Sequence, residues 1–155
     1  MSAPYPPIEA LLPHSDAMLL LESVLEHDFA KTACSAHIGP DHLFADRDGS
    51  VPSWVGIELM AQCAAVHGGL TARSAGAEPR PGLLLGSRRL QLGVPSFAAG
   101  QRLRVEARHH RGVAGLVAFD ATICDARGGA PLAEGRINVY LLRDYSELAR
   151  GEIRP

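Results

Sequence analysis

The chain has 155 residues, of which 46% are hydrophobic and 21% charged. That size and composition predict one globular domain over residues 1–155 and exclude a disordered tail or a membrane bundle. Fifteen basic against seventeen acidic residues leave a formal charge of −2, without the basic excess that binding a nucleic-acid backbone demands.

Three cysteines, Cys34, Cys63 and Cys124, are odd in number and far apart, and the first residues lack the basic flank and apolar core of a signal peptide. A reducing cytoplasm is therefore the expected compartment.

In chain order, residues 18–26 and 30–38 read as a strand pair, followed by a polar loop over 40–51. Between Gly49 and Ala72 the only charge is Glu58. The uncharged run 59–72 is shorter than the roughly 20 residues of a membrane span, so the stretch predicts a buried core helix at about 52–72. Pro52 suits its first turn, Ser50 or Ser53 can cap it, and Gly68-Gly69 weakens its far end. Small residues at Gly56, Ala61, Ala64 and Ala65 keep that helix slim and predict surroundings that wrap closely around it.

Downstream, 82–92 reads as a strand. Leu103, Val105 and Ala107, then Val117, Phe119, Ala121 and Ile123, then Ile137, Val139 and Leu141 all recur at period two. Turn-rich segments at 95–100, 112–115 and 128–129 separate them. Two strands, a long apolar helix and four more strands predict an α+β architecture, an antiparallel sheet curled around one helix.

Glu58 carries the chemistry most readily. Its helical neighbours Trp54, Val55, Ala61 and Gln62 are uncharged, so no ion pair within the helix neutralises it. Buried without a partner, such a carboxyl favours its protonated form and becomes a general-acid candidate; at a solvent edge, or paired with a distant arginine, it is an ordinary helix glutamate. His42, sixteen residues earlier in the loop, is the matching general-base candidate, and the unpaired N–H groups of the helix start between them can polarise a carbonyl. Cys63 and His67 are one turn apart but lack a second ligand pair, which predicts core packing and no metal. His109 and His110 alternate to opposite faces of a strand, and His14, His27 and His37 read as surface or packed imidazoles. No phosphate loop, nucleophile elbow or paired CxxC is present.

The segments LLPHSDAMLLLESV and VPSWVGIELMAQ resemble the two signatures of hotdog-fold 3-hydroxyacyl-(acyl-carrier-protein) dehydratases. With LLLGSRRL at 83–90, the chain is most similar to the branch associated with aryl polyene biosynthesis. The resemblance puts Glu58 on the catalytic acid, makes His42 the base, and places the substrate contacts at Ser53, Trp54, Gly56 and Gln62. Ser53 falls where the family has a helix-start glycine whose N–H faces the thioester carbonyl. In place of the family's HFPG the loop reads HLFADRDGS, with the histidine two residues farther from the glutamate.

The implied reaction converts a 3-hydroxyacyl thioester on acyl carrier protein into the trans-2-enoyl thioester with no metal or organic cofactor. The implied assembly is a homodimer, or a heterodimer with a related subunit, in which base and acid come from different chains. Arg80, Arg88 and Arg89 are candidates to meet the acidic carrier, with strand alternation sending the last two to opposite faces. A hotdog thioesterase and a non-catalytic subunit of a heteromeric dehydratase are the competing classes.

Overall fold

The computed structural model describes residues 4–14 and 16–151; the outermost positions of the expected 1–155 domain lie outside the described residues. The β-rich segments become β1 (Leu21–His27), β2 (Lys31–His37), β3 (Val51–Pro52), β4 (Gly82–Leu92), β5 (Ser96–Phe97), β6 (Arg102–Val113), β7 (Leu116–Asp125) and β8 (Ala133–Leu141). The long helix is α1 (Gly56–Ser74), and a short α2 (Ser146–Arg150) follows the sheet.

Six strands form one antiparallel sheet in the order β1-β2-β6-β7-β8-β4, while β3 and β5 make a separate two-stranded ribbon. Period-two alternation sorts the faces as expected: Leu103, Val105 and Ala107 on β6, Phe119, Ala121 and Ile123 on β7, and Ile137 on β8 are buried. Between them, Lys31, Arg104, Glu106 and Arg108 form ion pairs on the opposite face. The helix lies in the sheet's concave side, packed chiefly on β6 and β2. Its Leu59, Met60, Cys63, Val66 and Leu70 recur at helical spacing and are buried in the shared core.

The helix begins later and ends later than the sequence predicts. Pairing of Val51 with Phe97 and of Pro52 with Ser96 keeps the chain extended through Pro52, and a 3-10 turn over Ser53–Val55 precedes α1. Neither serine caps it: the Ser50 hydroxyl donates to Asp48 at 2.6 Å, and the helix start has no side-chain cap. Gly68 and Gly69 do not end the helix either, because Leu70 beyond them is held in the core. The stop comes at Gly76, whose left-handed φ of 66° lets Gly76 N–H reach Arg73 O and Ala77 N–H reach Ala72 O, the Schellman arrangement that satisfies the last carbonyls. Among the described residues no helix is long and apolar enough to cross a membrane.

Candidate active site

Glu58 sits in the first turn of α1, beside the N-terminal segment that carries His14, Met18 and Leu20. Its position differs from both sequence expectations. It is neither unpartnered in the core nor at an open edge: the side chain is 30% exposed and has two neighbours.

The first is Gln62, one turn on and fully buried. Gln62 Oε1 accepts from Leu20 N–H at 3.0 Å, which fixes the amide's orientation. Its Nε2 donates to Met18 O at 2.7 Å and to Glu58 Oε1 at 3.0 Å. A buried amide is thus satisfied on both ends, and it ties the strand entry at 18–20 to the carboxyl.

The second neighbour is His14, whose Nε2 lies 3.3 Å from the same Glu58 Oε1. By sequence His14 reads as a surface or packed imidazole. The signal available was its place in the LLPHSDAMLLLESV segment, which the fold lays across the start of α1. Its Nδ1 is buried with no partner among the described residues.

His42 occupies the loop between β2 and β3. Its Nδ1 accepts from Phe44 N–H at 3.2 Å, its ring meets Phe44 at 6.2 Å between centroids, and Phe44 in turn meets Trp54 edge-on at 6.3 Å. This aromatic chain fastens the histidine loop to the helix start. Burial pushes the His42 imidazole below its ordinary pKa, which keeps the ring neutral near pH 7. His42 also lines a cleft of about 320 Å³ with Asp16, Leu19, Leu21, His37 and Pro40. Among the described residues no hydrogen bond, ion pair or ring contact joins it to Glu58.

The other expected contacts divide. Trp54 is 57% exposed and available to a ligand. Gly56 is closed in: a Cβ there would stand 3.0 Å from Ile123 Cδ1 and 3.3 Å from Phe97 Cζ, so its smallness serves packing. Ser53 is buried, and its N–H donates to Pro95 O at 3.0 Å. The family's glycine N–H is therefore replaced here by a donor already committed to the ribbon, which corrects Ser53 as a carbonyl-polarising group.

Among the arginines, Arg80 donates through Nε to Leu142 O at 2.9 Å and through Nη2 to Leu141 O at 2.7 Å. It ties the segment before β4 to the end of β8, so charge reversal there disturbs the fold as well as the surface. Arg88 and Arg89 are both exposed. Alternation does not separate them, because β4 carries a bulge between Arg88 and Gln91 with Arg89 at φ 56°.

Cys63 and His67 are core groups. The Cys63 thiol lies 3.4 Å from both Thr32 O and Val105 O, and its contact with the Cys34 thiol, then burial, raise its pKa. The Thr32 hydroxyl bridges His27 Nδ1 at 2.7 Å and His67 Nδ1 at 2.9 Å, and the His67 ring stacks on His109. His110, on the other face, meets Asp120 instead. Among the described residues no three His, Cys, Asp or Glu side chains are placed to hold a metal ion.

Comparison with known proteins supplies the chemical context. No curated protein matches the chain significantly. A chain of the dehydratase heterocomplex ApeI:P from Xenorhabdus doucetiae is 28% identical, covers 97% of this chain and 99% of its own length, and superposes with a TM-score of 0.88. Uncharacterized protein PH1136 from Pyrococcus horikoshii (12% identity, TM-score 0.61, 82% and 87% covered) is similar in fold alone. So is a hypothetical thioesterase with coenzyme A from Streptococcus pneumoniae (10%, 0.59, 77% and 84%). A curled sheet around one apolar helix, the hotdog fold, is thus common to chains whose sequences have little in common, and the sequence signal separates this one from them. A family model described as ApeP dehydratase spans residues 6–150, taking in both the His14 segment and the Glu58 helix, and the chain accordingly belongs to the ApeP-like dehydratase family.

Proposed function

We propose that this chain, as a single cytoplasmic hotdog domain, removes water from a 3-hydroxyacyl thioester held on an acyl carrier protein. The product is the trans-2-enoyl thioester of an aryl polyene pathway. The observation that carries the reading is the carboxyl of Glu58. One oxygen, Oε1, is engaged by Gln62 and His14, and Oε2 has no partner among the described residues. A carboxyl fixed through one oxygen presents the other for proton transfer.

In the reaction, His42 takes the acidified C2 proton, the C3–O bond breaks as Glu58 delivers its proton to the departing hydroxyl, and water leaves from the new C2=C3 bond. With Nδ1 accepting from Phe44, the neutral His42 ring carries its proton on Nε2, so accepting the C2 proton at either nitrogen requires that hydrogen bond to be released.

Base and acid meet in this reading across an interface between two hotdog subunits. Among the described residues strand β4 pairs only with β8 and leaves its outer edge open, while Leu84, Leu85 and Leu92 along it are exposed. An open, leucine-rich edge favours pairing with another chain, and the ApeI:P relative is a heterocomplex. The protein is expected to run as a dimer in light scattering, alone or with a related subunit; an active, monodisperse monomer overturns the interfacial site. Trp54 then flanks the acyl chain, and exposed Arg88 and Arg89 face the carrier.

Incubating the protein, alone and with a related subunit, with a 3-hydroxyacyl carrier thioester tests the reaction. Enoyl absorbance should rise without release of carrier thiol. Thiol release assigns a thioesterase, and turnover insensitive to Glu58→Gln in this chain assigns a non-catalytic subunit. In the same assay His42→Ala is expected to lower kcat by about 10²-fold; a rate near wild type returns His42 to an ordinary loop position.

A further inference from the structure

We infer that His14 is a positioning residue for the acid, holding Glu58 Oε1 so that the transferable proton resides on Oε2. The inference rests on the proposed dehydration and adds to it a residue from a third part of the chain.

Two groups converge on one carboxyl oxygen. Gln62 cannot be turned around, because Leu20 N–H occupies its Oε1, so its Nε2 hydrogens go to Met18 O and Glu58 Oε1. His14 Nε2 approaches that same Oε1. Gln62 donates to Oε1, and His14, in the tautomer that carries its proton on Nε2, turns a second N–H towards it; a carboxyl proton on Oε1 would then face these N–H groups, and on Oε2 it meets none among the described residues. His14 and Gln62 therefore act together, one from outside the helix and one from within it.

The second observation is what His14 forgoes. Its Nδ1 is buried and unpaired among the described residues, an arrangement that costs stability. An apolar side chain of similar size would fill the place without that cost, so packing alone does not account for an imidazole here. The backbone is also set for it. Asp16, at φ 49°, opens the 3-10 turn Asp16–Met18, and the hydrogen bonds of Met18 and Leu20 to Gln62 hold the far side of that turn on the helix. The left-handed residue is tolerated by Asp better than by most side chains.

The test uses the full chain with its partner subunit and compares His14→Gln with His14→Asn. Glutamine places its amide nitrogen near the position of the ring Nε2 and still reaches Glu58, whereas asparagine places it near Nδ1 and falls short. His14→Gln should keep most of kcat. His14→Asn should lose about tenfold to a hundredfold in kcat, the order of effect of misplacing a reacting group by about 1 Å, with KM near wild type. His14→Leu should lose kcat likewise while melting no lower than wild type, since the unpaired Nδ1 is gone. Wild-type kcat in His14→Asn overturns the role, and so does equal loss in the Gln and Asn variants or a kcat loss that follows a lowered melting temperature. Absence of enoyl product from the wild-type complex would instead remove the dehydration on which the inference stands.

Discussion

Glu58→Gln is expected to leave a folded protein with dehydration reduced by about 10²- to 10⁴-fold, the range contributed by a positioned general acid. The variant separates chemistry from structure unusually well at this position. A glutamine at 58 keeps an Oε1 that can accept from Gln62 Nε2–H, as Glu58 does at 3.0 Å, and keeps the approach of His14 to the same atom. What changes is the free end, where a carboxyl oxygen becomes an amide nitrogen that cannot supply a proton to the departing hydroxyl. Substrate binding should persist, so the loss should appear in kcat and not in KM. The measurement is steady-state enoyl formation beside a thermal melt; wild-type turnover with an unchanged melt would take Glu58 out of the mechanism.

Acidification is expected to weaken the fold between pH 6.5 and about 4 through the imidazole cluster at the far end of α1. Burial, then the neighbouring His27 and His109 rings, push His67 down to about 4, with Asp28 acting weakly in the other direction. Burial also lowers His27 and His109. The unfolded chain, with imidazoles near 6.5, binds these protons more readily than the folded one. Stability is therefore full above pH 6.5, falls as pH drops towards 4, and levels off below.

The His67 shift alone corresponds to roughly 3 kcal/mol across that interval. The paired carboxylates Asp120 and Asp125, held below their ordinary values by Arg136 and Arg127, contribute stability that is present above about pH 4 and lost below it, so the two windows do not overlap. Urea midpoints at pH 7 and pH 4.5 check this. His67→Asn, whose amide stands near the position of Nδ1 and can still reach the Thr32 hydroxyl, should flatten the difference, and an unchanged pH dependence would place the titrating groups elsewhere.

The strand alternation and the single long apolar helix were legible before any coordinates because both depend on local periodicity, which a sheet face and a helix face impose directly on the residue order. Strand 82–92 lies where the pattern puts it. The helix start was not legible: Ser50, Pro52 and Ser53 offer good local capping chemistry, but the β3–β5 pairing outweighs it, and that pairing joins residues more than forty positions apart.

The site divides along the same line. The isolation of Glu58 in an uncharged helix, with Gln62 one turn beyond it, is a property of neighbouring residues and can be read from the chain alone; so can the slimness of the helix and the absence of a basic surface. Which imidazole stands beside Glu58 is a property of the fold. His42 and His14 are both histidines in polar surroundings, sixteen and forty-four residues from the acid. Sequence separation says nothing of which one the chain brings within 3.3 Å. That choice belongs to tertiary structure, because it depends on the N-terminal segment being drawn over the helix by Gln62, through hydrogen bonds whose partners are backbone atoms of Met18 and Leu20 and so leave no mark in side-chain identity.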